Sequence, residues 1–297
     1  MTRPCPGAPP PTAASFEVPR GACDCHLHVL GPYARYPLAA DRPYTAPEAP
    51  LAAMVAMLDT MRLDRAVVAH VSAHGADQRV TLDALEALGD RARAIVMLAP
   101  SMSDAELARL NSLGVRGVRL AHAFGYAVTR DALRRIGERV GPLGWHIAIW
   151  PSGLDELRLI ASLIETLAAP VVLDHLAGHC WDPRLGVDQE GFTLLRSLLE
   201  SRRVWLKLSG MYRASTGAFP WPELIPFAAT LAAEHPQRLL WASDWPHVGL
   251  HGGNMPNSGE LLDWLLTIGC DDTRRRQILV DNPIELYGFA KVAAERA

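Results

Sequence analysis

Short apolar runs rich in Val, Ile, Leu and Trp alternate along the chain with longer segments that mix apolar and charged positions. Continuous apolar runs suit strands buried on both faces of a parallel sheet, because helices cover each side. Eight such runs stand near 22–29, 65–71, 92–99, 115–121, 145–150, 171–176, 204–209 and 239–243. The amphipathic segments between them, 50–61, 79–88, 103–113, 130–140, 154–167, 189–200 and 223–233, have room for helices, and one more, 257–266, follows the last run.

Eight strands alternating with helices predict an α/β chain folded as a closed (β/α)8 TIM barrel with right-handed crossovers. The structural alternative, an open doubly wound sheet, usually carries a Gly-rich phosphate turn after its first strand. Here that strand runs into His28-Val29-Leu30-Gly31-Pro32-Tyr33, which has no G-x-G-x-x-G. The long irregular stretches, 31–50, 179–188, 212–222 and 246–256, follow the first, sixth, seventh and eighth strands. They therefore gather as long βα loops at the C-terminal face, where barrels build their sites. No repeat or low-complexity linker divides the chain, so one barrel domain is expected over 16–297, preceded by a Pro- and Ala-rich disordered tail over 1–15.

The formal charge of −3 on 297 residues gives no reason to expect a nucleic-acid or acidic-membrane partner. Local arginines can still serve a small anionic substrate. No apolar stretch approaches the ~20 residues a membrane span needs, and the first residues lack the apolar run of a signal peptide. Five cysteines, an odd number at irregular spacing, argue against a disulfide framework and fit a reducing, cytoplasmic location. Assembly into a homo-oligomer is compatible with the sequence but not dictated by it.

The chemistry concentrates at strand ends. In Asp24-Cys25-His26-Leu27-His28, alternation along a strand puts His26 and His28 on one face, toward the barrel interior, and Cys25 and Leu27 toward the helices. Two imidazoles at that spacing suit one metal ion or one polarised substrate oxygen. His175 ends the sixth strand within Leu173-Asp174-His175, and Asp244 follows the eighth within Ser243-Asp244-Trp245-Pro246-His247. A carboxylate there can bind metal or activate water. His26, His28, His175 and Asp244 are thus the expected catalytic set. The same four residues either enclose one divalent cation, zinc or manganese, or polarise a carbonyl and activate water without metal. Arg119 and Arg213 offer planar forks of donors for substrate carboxylates. Ser72, His74, Trp150, Tyr212 and His247 join them as expected substrate-binding residues. His122 and His179 lie near the same rim, where packing is an equally good account of them.

These residues resemble the amidohydrolase-2 branch of the metal-dependent hydrolase superfamily, in the part that holds 2-pyrone-4,6-dicarboxylate hydrolases and related lactonases. The likeness runs from Asp24-Cys25-His26-Leu27-His28-Val29-Leu30-Gly31-Pro32 and Tyr36-Pro37 through Gly117-Val118-Arg119, Asp174-His175 and Ser243-Asp244-Trp245-Pro246-His247 to Asp281-Asn282-Pro283 with Leu286-Tyr287. It implies hydrolytic opening of a cyclic ester, with His26, His28 and His175 facing the carbonyl and Asp244 handling the water. A two-metal site of this type commonly needs a carboxylated lysine late in the fourth strand. That strand has Arg116 and Arg119 but no lysine, and the chain's lysines are Lys207 and Lys291, so one metal at most is expected. Arg119 and Arg213 match two arginines of the family's dicarboxylate site. Two more that the resemblance leads one to expect are absent, one near Phe124-Gly125 and one in Leu176-Ala177-Gly178-His179. A muconolactone or sugar-acid lactone therefore competes with the pyrone dicarboxylate as substrate. Within the same branch, isomerisation of a lactone or metal-dependent decarboxylation of an aromatic or muconate-type acid would use the same groups. A non-catalytic relic barrel is disfavoured because the four residues are intact.

Overall fold

A computed structural model describes residues 3–120, 127–215, 217–252 and 255–292. Eight parallel strands follow one another around a single sheet in chain order: β1 (Cys23–Leu27), β2 (Arg65–Ala69), β3 (Ala92–Val96), β4 (Val115–Leu120), β5 (His146–Ile149), β6 (Val171–Leu173), β7 (Val204–Leu208) and β8 (Leu239–Trp241). The ends of β1 and β8 are joined where His28 N donates to Trp245 O at 2.8 Å and Asp244 N donates to His26 O at 2.9 Å. The sheet is thereby drawn into the expected (β/α)8 barrel. The helices are α1 (Leu51–Thr60), α2 (Arg79–Leu88), α3 (Asp104–Leu113), α4 (Arg130–Val140), α5 (Leu154–Ala161), α6 (Glu190–Glu200), α7 (Met211–Ala214), α8 (Ile225–Glu234), α9 (Ser258–Thr267), α10 (Asp272–Arg276) and α11 (Asn282–Tyr287). Their starts are chemically marked in several cases: Ser103, Thr129 and Asn257 each accept a backbone N–H of the first turn through the side chain.

The apolar residues sort into two clusters. The larger one, with Leu27, Val68, Val96, Val118, Ile149, Leu173, Leu206 and Trp241, lies between strands and helices. The smaller one takes Cys23, Cys25, Val67, Ile95, Ala148, Val172, Trp205 and Leu240, residues of seven of the eight strands, and so fills the barrel interior. Cys25 sits in this inner set, not toward the helices as expected. The β1–β2 register shifts between Asp24 and Leu27, which breaks the simple alternation. Tyr287 of α11 belongs to the same inner cluster, fully buried with its ring 5.4 Å from that of His146. The α11 start is tied back to the barrel, since Asn282 Nδ2 donates to Pro236 O (2.8 Å) and Leu239 O (2.6 Å).

Strands β6 and β8 end before the polar residues expected at their tips. After β6 the backbone turns left-handed through His175, Leu176 and Ala177 (φ +53°, +58° and +49°), and after β8 it does so at Asp244 (φ +59°) and His247 (φ +61°). Such φ values remove residues from the ladder and re-aim their side chains across the barrel mouth. The leading segment, expected to be a disordered tail, is hydrogen-bonded to the barrel from residue 3 onward. Cys5 N donates to Thr45 O (2.7 Å), Thr12 N to Asn257 Oδ1 (2.9 Å) and Ser15 N to Asp263 Oδ1 (2.7 Å). It links the loop after β1 to the loop after β8. No described helix is long and apolar enough to cross a membrane.

Candidate active site

His26, His28, His175 and Asp244 converge at the C-terminal end of the strands. The His26 ring lies 5.0 Å from that of His28 and 5.2 Å from that of His175, centroid to centroid. Asp244 Oδ1 stands 3.4 Å from His28 Nε2 and 3.9 Å from His26 Nε2. All four residues are buried.

The two oxygens of Asp244 have different surroundings. Oδ2 accepts the Tyr212 hydroxyl at 2.6 Å and Arg213 Nε at 2.8 Å, while Oδ1 faces the imidazoles. Burial would raise this carboxyl, but the Arg213 guanidinium beside Oδ2 outweighs it and holds Asp244 well below the usual carboxylate range. Tyr212 is itself supported. Its hydroxyl lies 3.3 Å from His247 Nδ1, and His247 Nε2 lies 3.3 Å from Ser258 Oγ. Because Tyr212 donates to Asp244, it accepts from His247, and Ser258 then donates to the other ring nitrogen.

His175 is held by Ser209 Oγ, 3.0 Å from Nδ1, and by the edge of Trp150, whose ring centroid is 5.0 Å away. Burial drives the His175 imidazole down to about 4. Gly210 (φ +61°) is required beside it, since a Cβ there would stand 2.7 Å from His175 Nδ1. Trp150 stacks on His179 at 4.6 Å, and the Arg213 guanidinium lies 5.6 Å from the Trp150 ring.

Two residues absent from the expected set stand beneath it. Lys207, wholly buried, places Nζ 2.9 Å from His26 Nδ1 and 2.9 Å from Asp174 Oδ1. Burial alone would raise Asp174, yet the Lys207 ammonium holds it well below the carboxylate range. Burial and the adjoining Lys207 charge push His26 well down, so it is neutral at pH 7. A lysine in the middle of the otherwise apolar Val204-Trp205-Leu206-Lys207-Leu208, on the same face as the inward Trp205, was the available sequence signal.

The substrate-binding expectations divide. Arg213 Nη2 donates to Val248 O (2.7 Å) and lies 2.8 Å from Asp244 Oδ2, so that edge is committed to the protein. Arg119 Nη1 donates to His70 O (2.8 Å), and its Nη2 lies 3.9 Å from Asp174 Oδ2. Ser72 Oγ donates to Tyr44 OH (3.2 Å), and His74 Nδ1 donates to Pro37 O (3.1 Å), which places both against the loop after β1. His247 braces Tyr212 from behind. His122 and the Phe124-Gly125 position lie outside the described residues.

A model of the family described as Amidohydrolase matches residues 23–289. The chain belongs to this amidohydrolase family. It is 38% identical over 279 residues to a 4-sulfomuconolactone hydrolase from Rhizobium radiobacter, covering 92% of each chain. To a 2-pyrone-4,6-dicarboxylate hydrolase from Comamonas testosteroni it is 36% identical over 288 residues, covering 93% of each. A crystal structure from Acinetobacter baumannii with citric acid bound superposes at a TM-score of 0.77, with 25% identity over 91% of this chain and 100% of that one.

Members of the superfamily can hold a metal at such a site, and the donor atoms here can be tested for it. One ligand atom each from His26, His28 and Asp244 lie within 4.8 Å of one another, as do ligand atoms of His26, Asp174 and His175, and Asp244 Oδ1 is 3.4 Å from His28 Nε2 and 3.9 Å from His26 Nε2. Donors on a tetrahedral zinc at ~2.0–2.1 Å stand about 3.3 Å apart, so the first group fits in spacing. His28 also fits in proton placement. Its Nδ1 lies 2.7 Å from Ala69 O, to which it donates, which leaves Nε2 with a lone pair. His26 does not fit. An ammonium only donates, so Lys207 makes Nδ1 the acceptor and Nε2 the protonated nitrogen.

Proposed function

We propose that this amidohydrolase opens the lactone ring of a small carboxylated molecule, of the muconolactone or 2-pyrone-4,6-dicarboxylate type, by direct attack of water. The observation that carries the reading is the pairing at the barrel mouth. Asp244 Oδ1 and His28 Nε2, two acceptors, face each other at 3.4 Å, beside His26 Nε2, which is buried and has no hydrogen-bond partner among the described residues. The relatives that open lactone rings, at 36% and 38% identity over almost the whole chain, supply the reaction class.

The steps follow from which atoms donate and which accept. Two acceptors side by side hold a water through both of its hydrogens and leave its lone pairs toward the substrate. The His26 Nε2–H is a donor positioned to bind the lactone carbonyl oxygen and to stabilise the oxyanion that forms when water adds. Asp244 Oδ1 takes the proton as the new C–O bond forms. The tetrahedral intermediate then expels the ring oxygen, which receives that proton, and the ring-opened acid results. Arg213 and Tyr212 keep Asp244 ionised and oriented through Oδ2 while Oδ1 acts. None of these steps calls on a metal. The Arg119 and Arg213 guanidinium groups, with side chains 12% and 16% exposed, line the same mouth and favour a substrate that carries carboxylates.

The test is a panel of pyrone, muconolactone and aldonolactone substrates, assayed with a chelator and with added zinc or manganese, with product identification. Ring-opened acid formed at equal rates with and without chelator is expected. Release of carbon dioxide, or no turnover of any lactone, would overturn the reading.

A further inference from the structure

We propose that Lys207 is a positioning residue that fixes the Nε2–H tautomer of His26 and thereby commits the site to holding an oxygen of the substrate rather than a zinc ion. The proposal rests on the assignment of His26 in the preceding section, but its geometry stands independently of which lactone is bound.

Two groups compete for His26 Nδ1. Asp174 Oδ1 lies 3.4 Å away, beyond the ordinary N–H···O range, whereas Lys207 Nζ lies 2.9 Å away, within it. Lys207 bridges both, because the same Nζ is 2.9 Å from Asp174 Oδ1. The carboxylate that would otherwise accept a proton from His26 is thus engaged by the ammonium. A carboxylate accepting from one nitrogen of a histidine is what prepares the other nitrogen for a metal. Here the wedge of Lys207 between Asp174 and His26 reverses that arrangement, so His26 presents a hydrogen where a zinc ligand would present a lone pair.

Removing the wedge should rebuild the metal-binding arrangement. In Lys207→Met, His26 Nδ1–H donates to Asp174 and Nε2 becomes a ligand beside His28 Nε2 and Asp244 Oδ1. Zinc affinity, measured by competition with a chromophoric chelator, is expected to rise about 10–100-fold over the wild type. The kcat for lactone opening should fall at least about tenfold, with a much smaller change in KM, since the oxyanion donor is lost. The double variant Lys207→Met/Asp174→Asn, which leaves no unpaired carboxylate buried in the barrel, should lose the gain in zinc affinity.

Nitrogen-15 spectra of histidine-labelled wild-type protein, with the His26 signals assigned by a His26→Gln variant, decide the tautomer without any substitution at Lys207. A protonated Nε2 and bare Nδ1 are expected. A protonated Nδ1 in the wild type overturns the proposal, even if Lys207→Met does not fold. So does a folded Lys207→Met whose zinc affinity is no higher than that of the wild type. Absence of lactonase activity leaves both readouts intact and counts against the proposed reaction alone.

Discussion

Replacing Arg213 with Gln separates the charge of the guanidinium from its packing and makes a signed prediction about Asp244. The Arg213 side chain, 16% exposed, touches Asp244 Oδ2 through Nε and Nη2, each at 2.8 Å. A carboxylate beside an arginine is depressed by about 1–3 pH units relative to one without it, equivalent to about 1.4–4 kcal/mol of charge interaction. Gln keeps one amide donor but no charge, so Asp244 should titrate about 1–3 units higher in the variant. If Asp244 acts as a base, the acid limb of kcat/KM moves up by that amount, while activity above the limb is less affected. Stability carries the same sign. A carboxyl depressed in the folded state stabilises the protein above its unfolded value of ~3.9 and loses that contribution as the pH falls through the folded value. The wild type should therefore exceed Arg213→Gln by about 1.4–4 kcal/mol in urea unfolding at neutral pH. The gap should close in acid, starting as the pH drops through the raised value of the variant. Measurements in chelator-treated buffer keep adventitious metal out of the comparison. Superimposable acid limbs, or a stability gap that stays constant into acid, would refute the account of Asp244.

Two further substitutions probe the same site. Asp244→Asn keeps an acceptor for Tyr212 and Arg213 but cannot take a proton, so kcat/KM should fall about 10²–10⁴-fold with the circular dichroism spectrum unchanged; retention of most activity would remove Asp244 as the base. Gly210→Ala sets a Cβ 2.7 Å from His175 Nδ1 at a φ of +61°, so a loss of about 1–2 kcal/mol in stability together with a fall in kcat is expected from thermal unfolding and kinetics; an unchanged kcat would show that His175 tolerates displacement.

The barrel was legible because its strands are apolar on both faces, and the spacing of His26 and His28 survived the register shift in β1. Cys25 did not follow the alternation, because the same shift turns it into the interior cluster, and a one-residue irregularity leaves no trace in hydrophobic pattern. His175 and Asp244 were legible as polar residues following apolar runs, although both stand beyond their strands on left-handed backbone. The contacts of Arg213 with Asp244 and of His247 with Tyr212 were not. Arg213 reaches Asp244 across 31 residues of chain, and His247 reaches Tyr212 across 35, separations that no local periodicity encodes. Lys207 is one of two lysines in the sequence, and its place on the seventh strand rather than the fourth says only that it is not the bridge of a two-metal site. Its buried partners, one on β1 and one just beyond β6, became evident only once the strands were placed side by side.

Three buried carboxylates ring the base of the site, and their partners show why one of them is suited to the chemistry. Asp24 accepts the backbone N–H of His26 and of Ser243, each at 3.1 Å, and the Ser243 hydroxyl as well. Both of its oxygens serve the seam between β1 and β8. Burial nonetheless raises it to about 7, because no cation stands against it to match the loss of water. Asp174 has a cation beside each oxygen, Lys207 at Oδ1 (2.9 Å) and Arg119 at Oδ2 (3.9 Å). On Asp244 the guanidinium and the Tyr212 hydroxyl hold Oδ2, and the imidazoles of His28 and His26 stand beside Oδ1. A base must be ionised, held still and open on the side facing the reaction. Asp24 meets the second condition and Asp174 the first two, and in the proposed reaction the division of Asp244 between Arg213 and the histidines leaves Oδ1 for the water.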